Sequence, residues 1–439
     1  MSQLAIHGGK PIRTKLFPAH KIIGDEEKHA VNRVLDSGVL SRYLGAWHDD
    51  FNGGPEVRAF EEEWAAYFNV KHAIAVNSCS SGLQCAVGAL EIEPGDEIIV
   101  TPYSMCISAT APLFYGAIPV FADIEKTHFC LDPESIRKKI TPQTKAIIIV
   151  DLFGLPHDAE AIKAIAKTYN LKVIEDAAQA PGVKYKDQWA GTLSDLGVYS
   201  LNYHKHIHTG EGGVVVTNDD DLADRVRLIR NHAEAVVAGK GTQNLANMLG
   251  YNFRLTEIQA ALGRSLLKKL ETIMAGRIEN CNYLNEKLKG MPGLMSAPMR
   301  PHAGHAYYMQ PFLFDENIVG VKREIFVEAL KAELPYIELR EHEGKRVGAG
   351  YVKPLYLLPI FQQQKAFGSK GYPFNLAQNK LSYEKGTCPV VELMHEKKLI
   401  THEYMHYQAT KNDMDDVVAA FHKVYELKDQ LTLEKLTET

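Results

Sequence analysis

The chain has 439 residues, 45% of them hydrophobic and 23% charged, a composition that suits a folded protein long enough for two domains and argues against intrinsic disorder. Its formal net charge of −5, with both signs mixed along the chain, carries no polyanion-binding signature, so nucleic acid is not expected as a partner. Six cysteines (Cys79, Cys85, Cys106, Cys130, Cys281, Cys388) show no paired spacing, the first residues lack the apolar stretch of a secretory signal, and no window approaches a membrane span, so a cytoplasmic location is expected, with no disulfide framework or zinc ribbon.

Residues 1–24 carry Gly8, Gly9, Pro11 and Pro18 with little periodicity, the pattern of an arm lying on another surface. Asp25 to Leu40 reads as an amphipathic helix through Val31, Val34 and Leu35. A turn at Phe51-Asn52-Gly53-Gly54-Pro55 precedes a second helix, Glu56 to Phe68. From Lys71 to Thr217 the apolar runs HAIAV, EIIVT, AIPVF, KAIIIV, LKVIED, LGVYS and GVVVT alternate with helical patterns. Continuous β-branched runs between helices predict a mostly parallel sheet covered on both faces, hence an α/β layer. Leu255 to Leu270 predicts a helix leading to a smaller second domain, with helices near Arg323 to Glu333 and Asp413 to Leu427. The Gly/Tyr/Pro-rich connection from Glu341 to Gly386 is expected to be a functional loop region rather than core. The plan is therefore an arm at 1–24, a large domain at 25–272 and a small domain at 273–439.

Three segments carry candidate chemistry. Tyr199 to Asn218, YSLNYHKHIHTGEGGVVVTN, sets Lys205 before a glycine-dense turn that runs into a strand. A lysine amine in a desolvated pocket loses its proton more readily and forms a Schiff base with an aldehyde, and glycines let the backbone come close to a planar cofactor. Taken alone, the segment also fits a solvated lysine ahead of a hairpin. Asn77-Ser78-Cys79-Ser80-Ser81-Gly82-Leu83 follows a strand and opens a helix, whose free N–H groups and positive dipole end suit a phosphate, although a plain N-cap has the same residues. Asp176, in LKVIEDAAQ, stands at the C-terminal end of a buried strand, where ligand sites of α/β sheets gather; a helix N-cap is the bland alternative. His204, His206 and His208 alternate as metal ligands on a strand would, but no carboxylate or cysteine lies close in sequence, and no metal is expected.

On these segments, from about Gly54 to Gly263 and more loosely to the C-terminus, the chain resembles the DegT/DnrJ/EryC1/StrS sugar aminotransferases, fold-type I enzymes dependent on pyridoxal 5'-phosphate (PLP). The family's Ser-(x)4-Lys-x-(Ile/Leu)-x-Thr-Gly-Glu-Gly-Gly segment reads here Ser200 to Gly213. The resemblance implies a large PLP-binding α/β domain with a mostly parallel sheet and a smaller C-terminal α+β domain. It places Lys205 at the cofactor aldehyde, Asp176 at the pyridine nitrogen, Gln179 near O3', and Ser80, Ser81 and Ser200 at the phosphate. Met105, in TPYSM, takes the place of an aromatic residue over the ring, and Cys79 stands where the family usually has glycine. Gly250-Tyr251-Asn252-Phe253-Arg254 matches a motif whose asparagine reaches the neighbouring subunit's phosphate, which implies a homodimer with shared sites. Arg254 and His206 are candidate substrate contacts.

The implied activity is transfer of an amino group from glutamate or glutamine to a keto sugar, most often nucleotide-linked. Alternatives are an aminocyclitol (keto-inositol) aminotransferase, a PLP-dependent sugar dehydratase in which histidine replaces the lysine, and a non-catalytic PLP-binding regulatory protein. Lys205 lies five residues before Gly210, the lysine register of the family, which favours transamination.

Overall fold

All seven apolar runs of the first half become strands, because each is β-branched and finds cover on both faces. In the computed structural model, which describes residues 3–431, they are β1 (His72–Val76), β2 (Glu97–Val100), β3 (Ile118–Phe121), β4 (Thr144–Val150), β5 (Lys172–Asp176), then, after a short hairpin of β6 (Lys184–Tyr185) and β7 (Gln188–Trp189), β8 (Leu196–Ser200) and β9 (Gly213–Thr217). The sheet order is β1-β9-β8-β5-β4-β2-β3. Strand β9 runs antiparallel to both neighbours, and all other pairs are parallel. The fold is thus the expected fold-type I α/β architecture.

Helix α1 (Asp25–Ser37) stops three residues short of the expected Leu40, because Gly38 takes a left-handed conformation at φ 68° and closes its end. Helix α2 (Pro55–Phe68) and helix α3 (Cys79–Ala89) follow as expected. The helix expected over Leu255 to Leu270 is two helices, Glu257–Leu267 and Leu270–Leu288. The chain turns between them where Lys269 is drawn to Glu26 and Glu27 of α1, at 3.0 and 2.7 Å. The boundary placed near residue 273 therefore falls inside a continuous helix.

A second, antiparallel sheet has the order β10-β11-β13-β12, from Leu294–Ser296, Gln310–Phe314, Leu399–His402 and Val347–Ala349, the last being β12. Helices Arg323–Glu333 and Lys411–Glu426 pack on it through Phe326 and Phe421, which meet Phe312 and Phe314 in a separate apolar cluster. The N-terminal arm lies on this unit: Leu4 and Phe17 are buried in the cluster, and the Ala5 and Ile12 N–H groups donate to Glu333.

The Glu341 to Gly386 connection is largely irregular and exposed or half-buried, as a loop region, but a few of its aromatic residues extend the core. Within it, Tyr356, Phe361 and Tyr383 bury their rings against Phe121 of β3 at centroid distances of 5.6, 5.1 and 5.7 Å, and the Tyr383 hydroxyl donates to the Pro119 carbonyl. The segment covers the β3 edge of the large sheet. Irregular backbone carries no periodicity, so its burial leaves no pattern in the sequence.

Candidate active site

Asp176 ends β5, and its side chain is buried at the C-terminal edge of the parallel strands. Three donors meet its carboxylate: the Ser108 hydroxyl on Oδ2 at 2.8 Å, the Ala178 N–H on Oδ1 at 3.1 Å, and the Cys79 thiol at 3.9 Å from Oδ1. Burial pushes the Asp176 pKa up, while Ser108, Ala178 and the charge of nearby Lys205 oppose that push. Cys79, next to Asp176, is held protonated by burial and by the carboxylate's charge, which makes it a donor to the carboxylate rather than a nucleophile.

Lys205 lies in the loop between β8 and β9. The Leu201 and Gly212 backbone pair closes the loop at 2.9 Å, and the Lys205 N–H donates to Asn202 O at 2.8 Å. Its Nζ sits 4.0 Å from the centroid of the Tyr308 ring, and it has no ion-pair partner among the described residues. A buried amine left without a carboxylate partner is available to an aldehyde carbonyl. The glycines after it serve two purposes. Gly210 takes φ +80°, and a Cβ on Gly213 would stand 2.7 Å from the Cys79 nitrogen. The second of these is a close approach between β9 and the start of α3, so the glycines seat the lysine loop against the N-terminus of that helix.

At that start, Ser78 is the N-cap, its hydroxyl taking the Ser81 N–H at 3.0 Å. The Gly82 N–H goes to Ser78 O, which leaves the N–H groups of Cys79 and Ser80 outside the helical ladder. Ser80 is exposed there. The Ser81 hydroxyl is already spent on Asn77 Oδ1 at 2.6 Å. Ser200, at the end of β8, is buried, and its Oγ accepts from the Asn202 N–H at 3.3 Å. Gln179 accepts the Phe153 N–H at 2.7 Å and donates to the Tyr351 hydroxyl at 3.2 Å, which fixes its side chain between two segments.

The structure separates the remaining candidates. Met105 is 56% exposed. Two residues before it, Tyr103 is buried, and its hydroxyl accepts from the Tyr351 N–H at 2.8 Å. Asn252 is exposed; its Oδ1 accepts from Arg254 Nε at 2.8 Å, and its carbonyl meets Asn77 Nδ2 of the same chain at 3.4 Å. His206 is turned inward, its Nε2 2.9 Å from Ala306 O and its ring beside Tyr308, so it braces the wall against which Lys205 rests. Its pKa is held well below the usual histidine value by burial. His204 contacts Asn202 and Glu343, at 3.0 and 3.3 Å. Ser108, Tyr308 and Tyr351 had no sequence signal, because each reaches the site from a segment remote in the chain and without a motif of its own.

A buried carboxylate at a strand end, an unpaired buried lysine and a helix N-terminus with two free N–H groups form a set that fits PLP: one position each for its ring nitrogen, its aldehyde and its phosphate. The fold and this site define a fold-type I, PLP-dependent aminotransferase. The DegT/DnrJ/EryC1/StrS aminotransferase family model matches residues 21–420, and the chain belongs to that family. The spore coat polysaccharide biosynthesis protein SpsC of Bacillus subtilis (strain 168) is 31% identical over 405 residues, 91% of this chain and 94% of its own. The solved aminotransferase of Psychrobacter cryohalolentis superposes with a TM-score of 0.77 at 29% identity, covering 94% of this chain and 99% of that one. The structure of DesI gives 0.78 at 25% identity, covering 97% and 98%. No helix among the described residues is long and apolar enough to cross a membrane.

Proposed function

We propose that the enzyme transfers an amino group from glutamate or glutamine to a keto sugar carried on a nucleotide. The observation that carries the reading is the buried Lys205 amine, without an ion-pair partner among the described residues, close enough to the buried Asp176 carboxylate for its charge to be felt there. The substrate class is supported by two relatives: SpsC is named for polysaccharide biosynthesis, and DesI was solved in the presence of its TDP-sugar product. Bound PLP supplies an electron sink that stabilises negative charge at the carbon losing a proton.

The chain's residues supply the rest. Asp176 holds a proton on the cofactor's ring nitrogen, and Ser108, Ala178 and Cys79 keep that carboxylate aimed and charged. Lys205 Nζ carries a proton to and from the reacting carbon. Cys79 and Ser80 N–H, with the Ser80 and Ser200 hydroxyls, bind the phosphate, and Ser81 orders the turn beneath them. Met105 covers the ring face, and Gln179 lies by O3'. Arg254 meets a substrate or donor carboxylate. In the dehydratase alternative histidine stands at the lysine position, and His206, the neighbour that could serve by a shift of register, is committed to Ala306 O. The test is to incubate protein carrying the aminated cofactor with a panel of nucleotide-linked keto sugars and cyclitol ketones. Amination of a nucleotide-linked ketone is expected; turnover of free cyclitol ketones alone would replace the substrate class.

Ser108→Ala removes a hydrogen bond to a buried carboxylate, an interaction worth roughly 1.5–3 kcal/mol, so proton affinity at Asp176 should rise by about one pH unit or more. The acid limb of kcat/KM against pH is expected to move upward by that amount, and Ser108→Thr, which keeps the hydroxyl, to restore it. An unmoved limb would remove Ser108 from the assignment.

The site is proposed to be shared between two chains, with Asn252 of one serving the phosphate of the other. Exposed Leu245 and Leu249 lie a few residues before Asn252 and offer the apolar surface of a subunit contact. Losing its hydrogen bond to a charged phosphate should cost roughly 1.5–3 kcal/mol of cofactor affinity. Mixing Lys205→Ala chains with Asn252→Ala chains should regenerate one intact site per heterodimer and recover part of the activity. No recovery despite proven subunit exchange would assign Asn252 to its own chain, where its carbonyl already meets Asn77.

A further inference from the structure

Behind Asp176 lie three ionisable side chains that the proposed chemistry does not use. Asp151, at the end of β4, Glu175 of β5 and His157 in the loop between them are each 0% exposed. His157 Nδ1 stands 2.8 Å from Asp151 Oδ1 and 3.9 Å from Glu175 Oε1, and the His157 backbone N–H donates to the same Asp151 oxygen at 2.9 Å. Glu175 receives the Gly191 and Leu193 N–H groups at 2.6 and 2.9 Å. His157 Nε2 has no hydrogen-bond partner, and Asp151 Oδ2 has none while both carboxyls are ionised; a proton held between Asp151 and Glu175 supplies one. His157 also lines a groove of about 840 Å³ on the outer side, together with Lys163, Lys172 and Asp195.

A metal ion does not account for this geometry. Two ligand atoms on a tetrahedral zinc at about 2.0–2.1 Å stand roughly 3.3 Å apart, whereas the 2.8 Å contact between His157 and Asp151 is that of a hydrogen bond. The arrangement is instead a protonation problem. Ionising Asp151 and Glu175 together beside Asp176 would put three negative charges among buried groups, so one proton stays with the pair. Burial together with the neighbouring carboxylate holds the Glu175 carboxyl well above its usual range, and burial pushes Asp151 up to about 7. His157 is kept neutral by burial. Of the other groups facing the cluster, Arg300 and Lys163 are positive and Asp158 and Asp176 negative; Cys130 and Tyr199 are held protonated by burial.

The cluster is joined to the site by backbone. Asp151 N–H donates to the Asp176 carbonyl at 3.1 Å, and the loop it closes presents the Phe153 N–H to Gln179. We propose that Asp151, Glu175 and His157 are positioning residues for the aminotransferase site: the two carboxyls share one proton, His157 clamps the pair from the groove side, and together they fix the place and the charge of Asp176. This rests on the assignment of Asp176 to the cofactor nitrogen.

The test compares Asp151→Asn, His157→Gln and Asp176→Asn in cofactor-loaded protein, by pH titration of the cofactor's visible absorbance and by separate kcat and KM for the amino donor. Asp151→Asn keeps the shape and removes a charge that appears as pH rises through about 7. Less negative charge beside the ring nitrogen lets its proton leave sooner, so the spectral midpoint is expected to fall by about half a unit or more, with kcat down about tenfold and KM within about twofold. His157→Gln removes a donor to the charged form of Asp151, and its midpoint is expected to fall in the same direction by less. It carries the test if Asp151→Asn does not fold. Wild-type midpoints in both variants, with or without a loss of kcat, overturn the proposal, provided Asp176→Asn alters the spectrum. If Asp176→Asn leaves the spectrum unchanged too, the assignment of Asp176 to the cofactor is what fails.

Discussion

Lys205→Ala is expected to bind cofactor and to show no measurable turnover. The phosphate contacts proposed at the start of α3 and the Asp176 carboxylate do not involve the lysine, so cofactor affinity is expected to survive the substitution. The reaction loses both its covalent attachment point and the base that moves the proton. General acid–base catalysis alone accounts for about 10²–10⁴ in rate, and losing attachment adds to that. The wild-type protein is expected to be yellow; borohydride reduction followed by peptide mapping should place the pyridoxyl group on Lys205. A label on any other lysine would refute the assignment. Exogenous methylamine offers a second check, since a small amine can enter the space the side chain leaves and restore part of the rate. The Tyr308 ring, 4.0 Å from Nζ, is the wall that keeps that space narrow.

The residues that announced themselves in the sequence are those whose role depends on local chain geometry. Lys205 precedes a turn that needs Gly210 at φ +80°, Asp176 ends a β-branched run, and Ser78 to Ser81 cap a helix that follows a strand; each leaves a pattern within a dozen residues. The strands were legible for the same reason, since burial on both faces demands an unbroken apolar run. What the sequence hid depends on contact between distant segments. Ser108 reaches Asp176 across 68 positions, and Tyr351 reaches Gln179 across 172. The core aromatics Tyr356, Phe361 and Tyr383 are spaced by an irregular backbone rather than by a helix or strand period, so the anchors that this loop region sets over β3 left no pattern to read. His206 misled in the opposite way: an alternating histidine beside the lysine suggested substrate, but the tight turn points its ring at Ala306 and Tyr308.

Asp176→Asn is expected to separate stability from catalysis. The amide fills the same space, its one oxygen can still accept from the Ala178 N–H and its NH2 can donate to the Ser108 hydroxyl, but it carries no charge to hold a proton on the ring nitrogen. Removing a preorganised electrostatic partner of this kind costs about 10²–10³ in rate, so the half-reaction with glutamate should slow by at least that factor while glutamate binding changes little. Stability should move the other way. Burial raises the Asp176 pKa above its unfolded value, so the folded chain favours the protonated form, and ionising it costs stability as pH rises through the unfolded and then the folded value. At neutral pH the cofactor-free variant, with no charge to bury, is therefore expected to melt no lower than the parent, and the difference should vanish in acid, where Asp176 is protonated in both states. Single-turnover absorbance with glutamate measures the first effect, and thermal melts at two pH values measure the second. Near-normal half-reaction rates would sink the catalytic role. A lower Tm that tracks the loss of activity would instead make Asp176 part of the framework.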